Sequence, residues 1–171
     1  MVSETVQLPD WRIETVLVPK VYAATLGKEA LRAGGALVTE SIANTGGLID
    51  GGNGRTLLVA GQDIVNRGGS IAGASVSLDA GRDIRNESLT VTESWATAQN
   101  GGSHTQLSNQ GTITASGALT VEAGRNLTDL AGKLTAGSAV ITAGNEIRFD
   151  TVKTGSTYQS QIGEPGRTTV A

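Results

Sequence analysis

The chain has no cysteine in its 171 residues. Disulfides and thiolate metal sites are excluded, so stability has to come from backbone ladders and packing. Proline occurs three times, too rarely for a proline-rich disordered linker. Aromatic residues make up 3% and charged residues 17%, the latter below the usual quarter. No apolar run approaches the ~18 residues of a membrane-spanning helix. There is no Lys/Arg cluster and the net charge is −3. That balance disfavours nucleic acid, because phosphate binding needs a basic surface. Met1–Asp10 shows no basic stretch followed by an apolar one, so it does not read as a secretion signal. For an exported parent the signal is expected upstream, and the chain is expected to be a piece of a longer protein.

Glycine is plentiful, with 24 copies, and Ala, Val, Leu and Ile supply most of the apolar content. Small and β-branched residues with many glycines point to regular β structure with tight corners. A repeat organises them. Its copies are LLVAGQDIVN (Leu57–Asn66), VSLDAGRDIRN (Val76–Asn86), LTVEAGRNLTD (Leu119–Asp129) and VITAGNEIRF (Val140–Phe149). Their alanines are Ala60, Ala80, Ala123 and Ala143, spaced by 20, 43 and 20. A degenerate copy, GALVTESIAN (Gly35–Asn44), places Val38 where Ala60 stands.

Within each copy apolar residues alternate, as in a strand with one buried face. Ile64, Ile84, Leu127 and Ile147 recur four residues after the alanines. A short strand bounded by glycine precedes each copy, near Ile49, Ile71, Ile113 and Leu134. No segment between copies has helical periodicity, which argues against a leucine-rich repeat. The expected fold is all-β: a right-handed parallel β-helix with coils of roughly 20 residues. Equivalent residues then stack about 4.8 Å apart. The alanine column would sit at a narrow corner, where Gly61, Gly81, Gly124 and Gly144 are free to turn. Asn44, Asn66 and Asn86 also align, and an amide-to-amide ladder is expected. It is expected to stop where Asp129 and Phe149 take the matching places.

The gap of 43 holds a coil plus a surplus, Glu87–Gln110. Asn100-Gly101-Gly102 lies there between two extended runs, a signal for a hairpin turn. The spacing therefore predicts a leading or capping segment over 1–30, coils over 31–86, an inserted hairpin or irregular coil over 87–110, coils over 111–153 and a loose end over 154–171. Pro19, inside an apolar run, indicates an edge or a break.

The unit G-x-I-x-G-x-x-V-x-L-x-A-G-R-D-I-x-N, from Gly69 to Asn86, resembles the haemagglutinin repeat of filamentous haemagglutinin-like exoproteins. VLVPKVY (Val16–Tyr22) and AGNEIRFDTVKT (Ala143–Thr154) are similar to the second repeat region of contact-dependent growth-inhibition effectors of that family. The resemblance covers about Val16 to Thr154. It implies a β-helical protein, secreted through the outer-membrane transporter of a two-partner secretion system and exposed on a Gram-negative cell surface. It implies adhesion to a receptor or glycan on a host or neighbouring cell and, in some members, delivery of a toxin encoded elsewhere in the protein. The repeat has no catalytic residues to carry over.

His104 is the only histidine. Without a positioned partner it reads as a solvated turn residue rather than a general acid or base. Zinc has no ligand set. Asp63 and Asp83 share a column with Asn126 and Glu146, and Arg82 and Arg125 precede two of its members. A solvated polar ladder screened by arginine is favoured over calcium, since GGNGRT (Gly51–Thr56) has Thr where the calcium repeat needs Asp. The same glycines lack the lysine and helix of a phosphate loop. Trp95 is the strongest candidate for binding, by stacking on a sugar or inserting into a partner. The alternative is an indole packed back on the flank of the β-helix to anchor the hairpin. No enzyme activity, metal or cofactor is expected. The expected role is a structural and adhesive segment that presents a distal tip. A segment contacting the target-cell envelope during toxin delivery is the second possibility, and a carbohydrate-active β-helix enzyme a distant third. Open strand edges at the coil ends would favour end-to-end association.

Overall fold

Alternating aliphatics and glycine corners build a coil three strands long, repeated five times. In the computed structural model, residues 2–7, 13–18, 30–32, 35–97 and 100–160 are described, with side chains from Ala36 onward. The N-terminal part forms an antiparallel pair, β1 (Val2–Gln7) and β2 (Ile13–Val18), and β2 ends immediately before Pro19. Whether the segment over 1–30 caps the first coil depends on side chains outside the described residues.

The first coil holds β3 (Ala30–Arg32), β4 (Gly35–Thr39) and β5 (Ile42–Thr45). The second holds β6 (Leu48–Asp50), β7 (Arg55–Ala60) and β8 (Ile64–Arg67). The third holds β9 (Ser70–Gly73), β10 (Ser75–Ala80) and β11 (Asp83–Glu87). An antiparallel hairpin follows, β12 (Leu89–Ala96) and β13 (Asn100–Asn109). The fourth coil is β14 (Thr112–Ala115), β15 (Ala118–Ala123) and β16 (Asn126–Leu130). The fifth is β17 (Lys133–Thr135), β18 (Ser138–Ala143) and β19 (Glu146–Asp150). The coils stack into three five-stranded parallel sheets, β3-β6-β9-β14-β17, β4-β7-β10-β15-β18 and β5-β8-β11-β16-β19. This is a parallel β-solenoid with one inserted hairpin. A last strand, β20 (Gly155–Ser160), joins the hairpin rather than the tube.

The interior is a set of aliphatic columns. Leu37, Leu58, Leu78, Val121 and Ile141 are successive partners. So are Ala60, Ala80, Ala123 and Ala143, and Ile42, Ile64, Ile84, Leu127 and Ile147. Ile49, Ile71, Ile113 and Leu134 line the third wall. Central members such as Ile71 and Val121 are fully buried, each contributing roughly 1.5–3 kcal/mol by removal from water.

Three expectations need correction. Thr39, not Val38, pairs with Ala60, and Val38 points outward opposite Val59. The corner from Thr39 to Ile42 is one residue shorter than that from Ala60 to Ile64. Counting back from Asn44 across it therefore lands on the wrong face, since a one-residue slip inverts a strand. The glycines beside the alanine column do not turn with positive φ. A Cβ on Gly81, Gly124 or Gly144 would collide with the carbonyl oxygen of Gly61, Gly81 or Gly124 respectively, so they permit close stacking. Finally, the hairpin turn lies at Thr97–Asn100, where Thr97 N–H donates to Asn100 O at 2.6 Å. Gly101 and Gly102 are inside β13, opposite Ala96 and Trp95.

Candidate functional site

Two polar ladders lace the coils. Inside, Asn44 Nδ2 donates to Asn66 Oδ1 at 2.8 Å, and Asn66 Nδ2 to Asn86 Oδ1 at 2.7 Å. The ladder does not end at Asn86: its Nδ2 donates to Asp129 Oδ1 at 2.6 Å. Each amide also donates to a corner carbonyl, of Gly47, Gly69 or Gly111. A Cβ on Gly69 or Gly132 would overlap the ladder amides, which explains the glycine three residues after Asn66 and Asp129. Burial raises the Asp129 pKa, while bonds from Asn86 and the Gly132 backbone oppose that shift. The next position, Phe149, is exposed.

Outside, at the corner that follows the alanine column, each coil from the second onward donates to the coil before it. Gln62 Nε2 bonds Glu40 Oε1 at 2.5 Å and Asn145 Nδ2 bonds Asn126 Oδ1 at 2.8 Å. Between them, Arg82 grips Asp63 at 2.8 and 3.2 Å, and Arg125 grips Asp83 at 2.6 and 2.9 Å. The Arg125 bonds, joined by Asn126 and Arg85, outweigh desolvation and lower the Asp83 pKa to about 2. Asp63 and Asp83 of the aligned column are thus paired with guanidinium groups. No cluster of three or more His, Cys, Asp or Glu able to hold a metal occurs among the described residues.

The inserted sheet is different in kind. Its order is β12-β13-β20, and its register places Trp95, Gly102 and Tyr158 in one row. The segment read as loose over 154–171 therefore contains an ordered strand, with 161–171 outside the described residues. Paired residues in a sheet face the same side, so Trp95 and Tyr158 share a face. A Cβ on Gly102 would strike Trp95 Cζ2, and would lie 2.8 Å from Cε2. The indole therefore lies over Gly102, within its own sheet. Trp95 is 45% exposed and Tyr158 66%.

The next row on this face is Glu93, His104 and Ser156. His104 sits within a strand, not a turn, and its Nδ1 bonds Ser156 Oγ at 2.8 Å. These are the residue types of a Ser-His-carboxylate triad. However, no bond from His104 to Glu93 accompanies that contact among the described residues, and the row lies on an open sheet. The opposite face carries hydroxyl pairs, Thr92 with Thr105 and Ser103 with Thr157, each at 2.8 Å.

Sequence reasoning singled out Trp95 and His104, and the sheet brings them to adjacent rows. It missed Tyr158, Ser156 and Glu93, because only the return of β20 creates the rows. It also missed Ser88, at the root of the hairpin. Ser88 Oγ donates to Ala131 O at 2.6 Å and accepts from Gly111 N–H at 3.1 Å, closing the coil beneath the insertion. Comparison with protein-family models, curated proteins and solved structures finds no match to this chain.

Proposed function

We propose that this chain is a structural and adhesive segment of a large secreted bacterial surface protein of the filamentous haemagglutinin-like kind. In this reading the coils are a stiff spacer, each templating the next, and the inserted sheet is the contact element. The observation that carries the reading is the sheet itself: three strands leave a continuous solenoid and expose Trp95 and Tyr158 side by side. The haemagglutinin-type repeat from Gly69 to Asn86 supports the cell-surface setting and export through a two-partner transporter. The pairing of Asp63 and Asp83 with arginine supports a non-catalytic role. The test is binding of the purified chain to bacterial and epithelial cells, followed by flow cytometry. The comparison protein has residues 89–109 replaced by a short Gly-Ser link. We expect binding by the intact chain and its loss in the variant, with the β circular-dichroism signal of the coils retained. Equal binding by both proteins would move the contact from the sheet to the coils, and binding by neither would remove the adhesive role and leave a spacer.

A further inference from the structure

The aromatic row has the geometry of a stacking platform. The indole of Trp95 lies over Gly102 with its Cζ2 and Cε2 atoms against that backbone, and Trp95 remains 45% exposed. Tyr158 stands at the same register on β20, on the other side of Gly102 in β13. Together they make a strip up to about 10 Å long, two strand spacings, which is the scale of one to two pyranose rings. The polar row of Glu93, His104 and Ser156 runs parallel to it, two residues further along each strand. A sugar has the complementary halves: an apolar face of C–H groups and a rim of hydroxyls. Flat aromatic rings suit the first, and a carboxylate, an imidazole and a hydroxyl suit the second.

Charge narrows the class. β12, β13 and β20 contain no Lys or Arg, and Glu93 is their only carboxylate. On the Trp95 face an anionic glycan would meet the Glu93 carboxylate and no lysine or arginine of these strands; Lys153 lines a cleft with Ser103, Thr105 and Thr157, which belong to the opposite face. We propose that the face bearing Trp95, Tyr158, Glu93, His104 and Ser156 binds a neutral oligosaccharide, stacked on the two rings and hydrogen-bonded along the polar row. This rests on the adhesive reading above and gives that contact element its ligand.

The experiment is titration of the full chain with β-1,4-linked N-acetylglucosamine hexasaccharide and with cellohexaose, read by calorimetry and tryptophan fluorescence. A heparin hexasaccharide is the anionic control. We expect saturable binding of at least one neutral hexasaccharide and none of heparin. Tyr158→Ala leaves Trp95 seated and should weaken binding about five- to tenfold; Trp95→Phe keeps a smaller ring and should weaken it by a similar factor. Absence of saturable binding to both neutral sugars, preference for heparin, or indifference to both substitutions overturns the assignment. So does a dimer that Tyr158→Ala dissolves, since the occupant is then a second copy. The two readings also fail separately. Cell binding that survives periodate oxidation of cell-surface glycans sinks the saccharide and keeps the adhesive role. Sugar binding without cell binding does the reverse.

Discussion

Asp129 is an acid standing where the coils above it carry an amide. It accepts from Asn86 but cannot donate onward when ionised, and burial raises its pKa. The folded state therefore holds that proton more tightly than the unfolded chain, and the contribution of this group falls as pH rises through its folded pKa. Asp129→Asn should stabilise the fold at pH 7 by about 1 kcal/mol, the worth of one hydrogen bond. The gain should shrink below the ordinary Asp value of 3.8 in urea unfolding at pH 7 and pH 3. Asp83 has the opposite sign. Its pKa is lowered to about 2, chiefly by the bond from Arg125. That stability is present above the ordinary value and is lost as pH falls through about 2. Arg125→Met should lower the urea midpoint at pH 7 and leave it nearly unchanged near pH 1.5, where Asp83 is largely protonated in both states. Unfolding curves of equal midpoint at pH 7 would contradict this.

At the scale of elements, the corners and the inserted sheet make separate demands. Gly46 and Gly68 take positive φ at the corners after β5 and β8, at +66° and +59°. Ala131 holds the same place after β16 with φ of +51°. Alanine is disfavoured in that region by roughly 1 kcal/mol, so Ala131→Gly should raise the melting temperature. Gly68→Ala should lower it more steeply, because a Cβ there would sit 2.8 Å from Leu89 Cδ1. In the inserted sheet, Gly102 is the seat of the indole. Gly102→Val should displace Trp95, shifting its fluorescence to longer wavelength while the unfolding midpoint of the coils stays within about 0.5 kcal/mol. An unchanged spectrum would mean that the indole is held by something other than this seat.

Across the whole molecule the stack has a direction. The inner ladder donates towards later coils and the outer one towards earlier coils. At the fifth coil the inward columns come into view: Ile147 is 44% exposed and Phe149 60%, although both lie in register with buried residues of the fourth coil. Among the described residues β17, β18 and β19 have one neighbour each. Such an end offers unpaired strand edges and apolar surface together. The expected outcome is concentration-dependent association in sedimentation velocity, reduced by Phe149→Lys or Ile147→Lys. A strict monomer at high concentration would show that this end is covered.

The coil architecture, the aliphatic columns and the asparagine ladder from Asn44 to Asn86 were legible in the sequence. Each follows from repetition: period two along a strand and roughly 20 residues between coils put the same residue type at the same place. Where copies differ, repetition misleads. The shortened corner after Thr39 hid the true partner of Ala60, and Asp129 read as the end of a ladder that in fact closes on it. The aromatic face belonged to the tertiary structure alone. Ser103 meets Thr157 and His104 meets Ser156 across more than 50 residues, between segments that share no repeat. Only backbone pairing of β13 with β20 places Trp95 and Tyr158 in one row, because that register is set by hydrogen bonding between strands and by no periodicity along the chain.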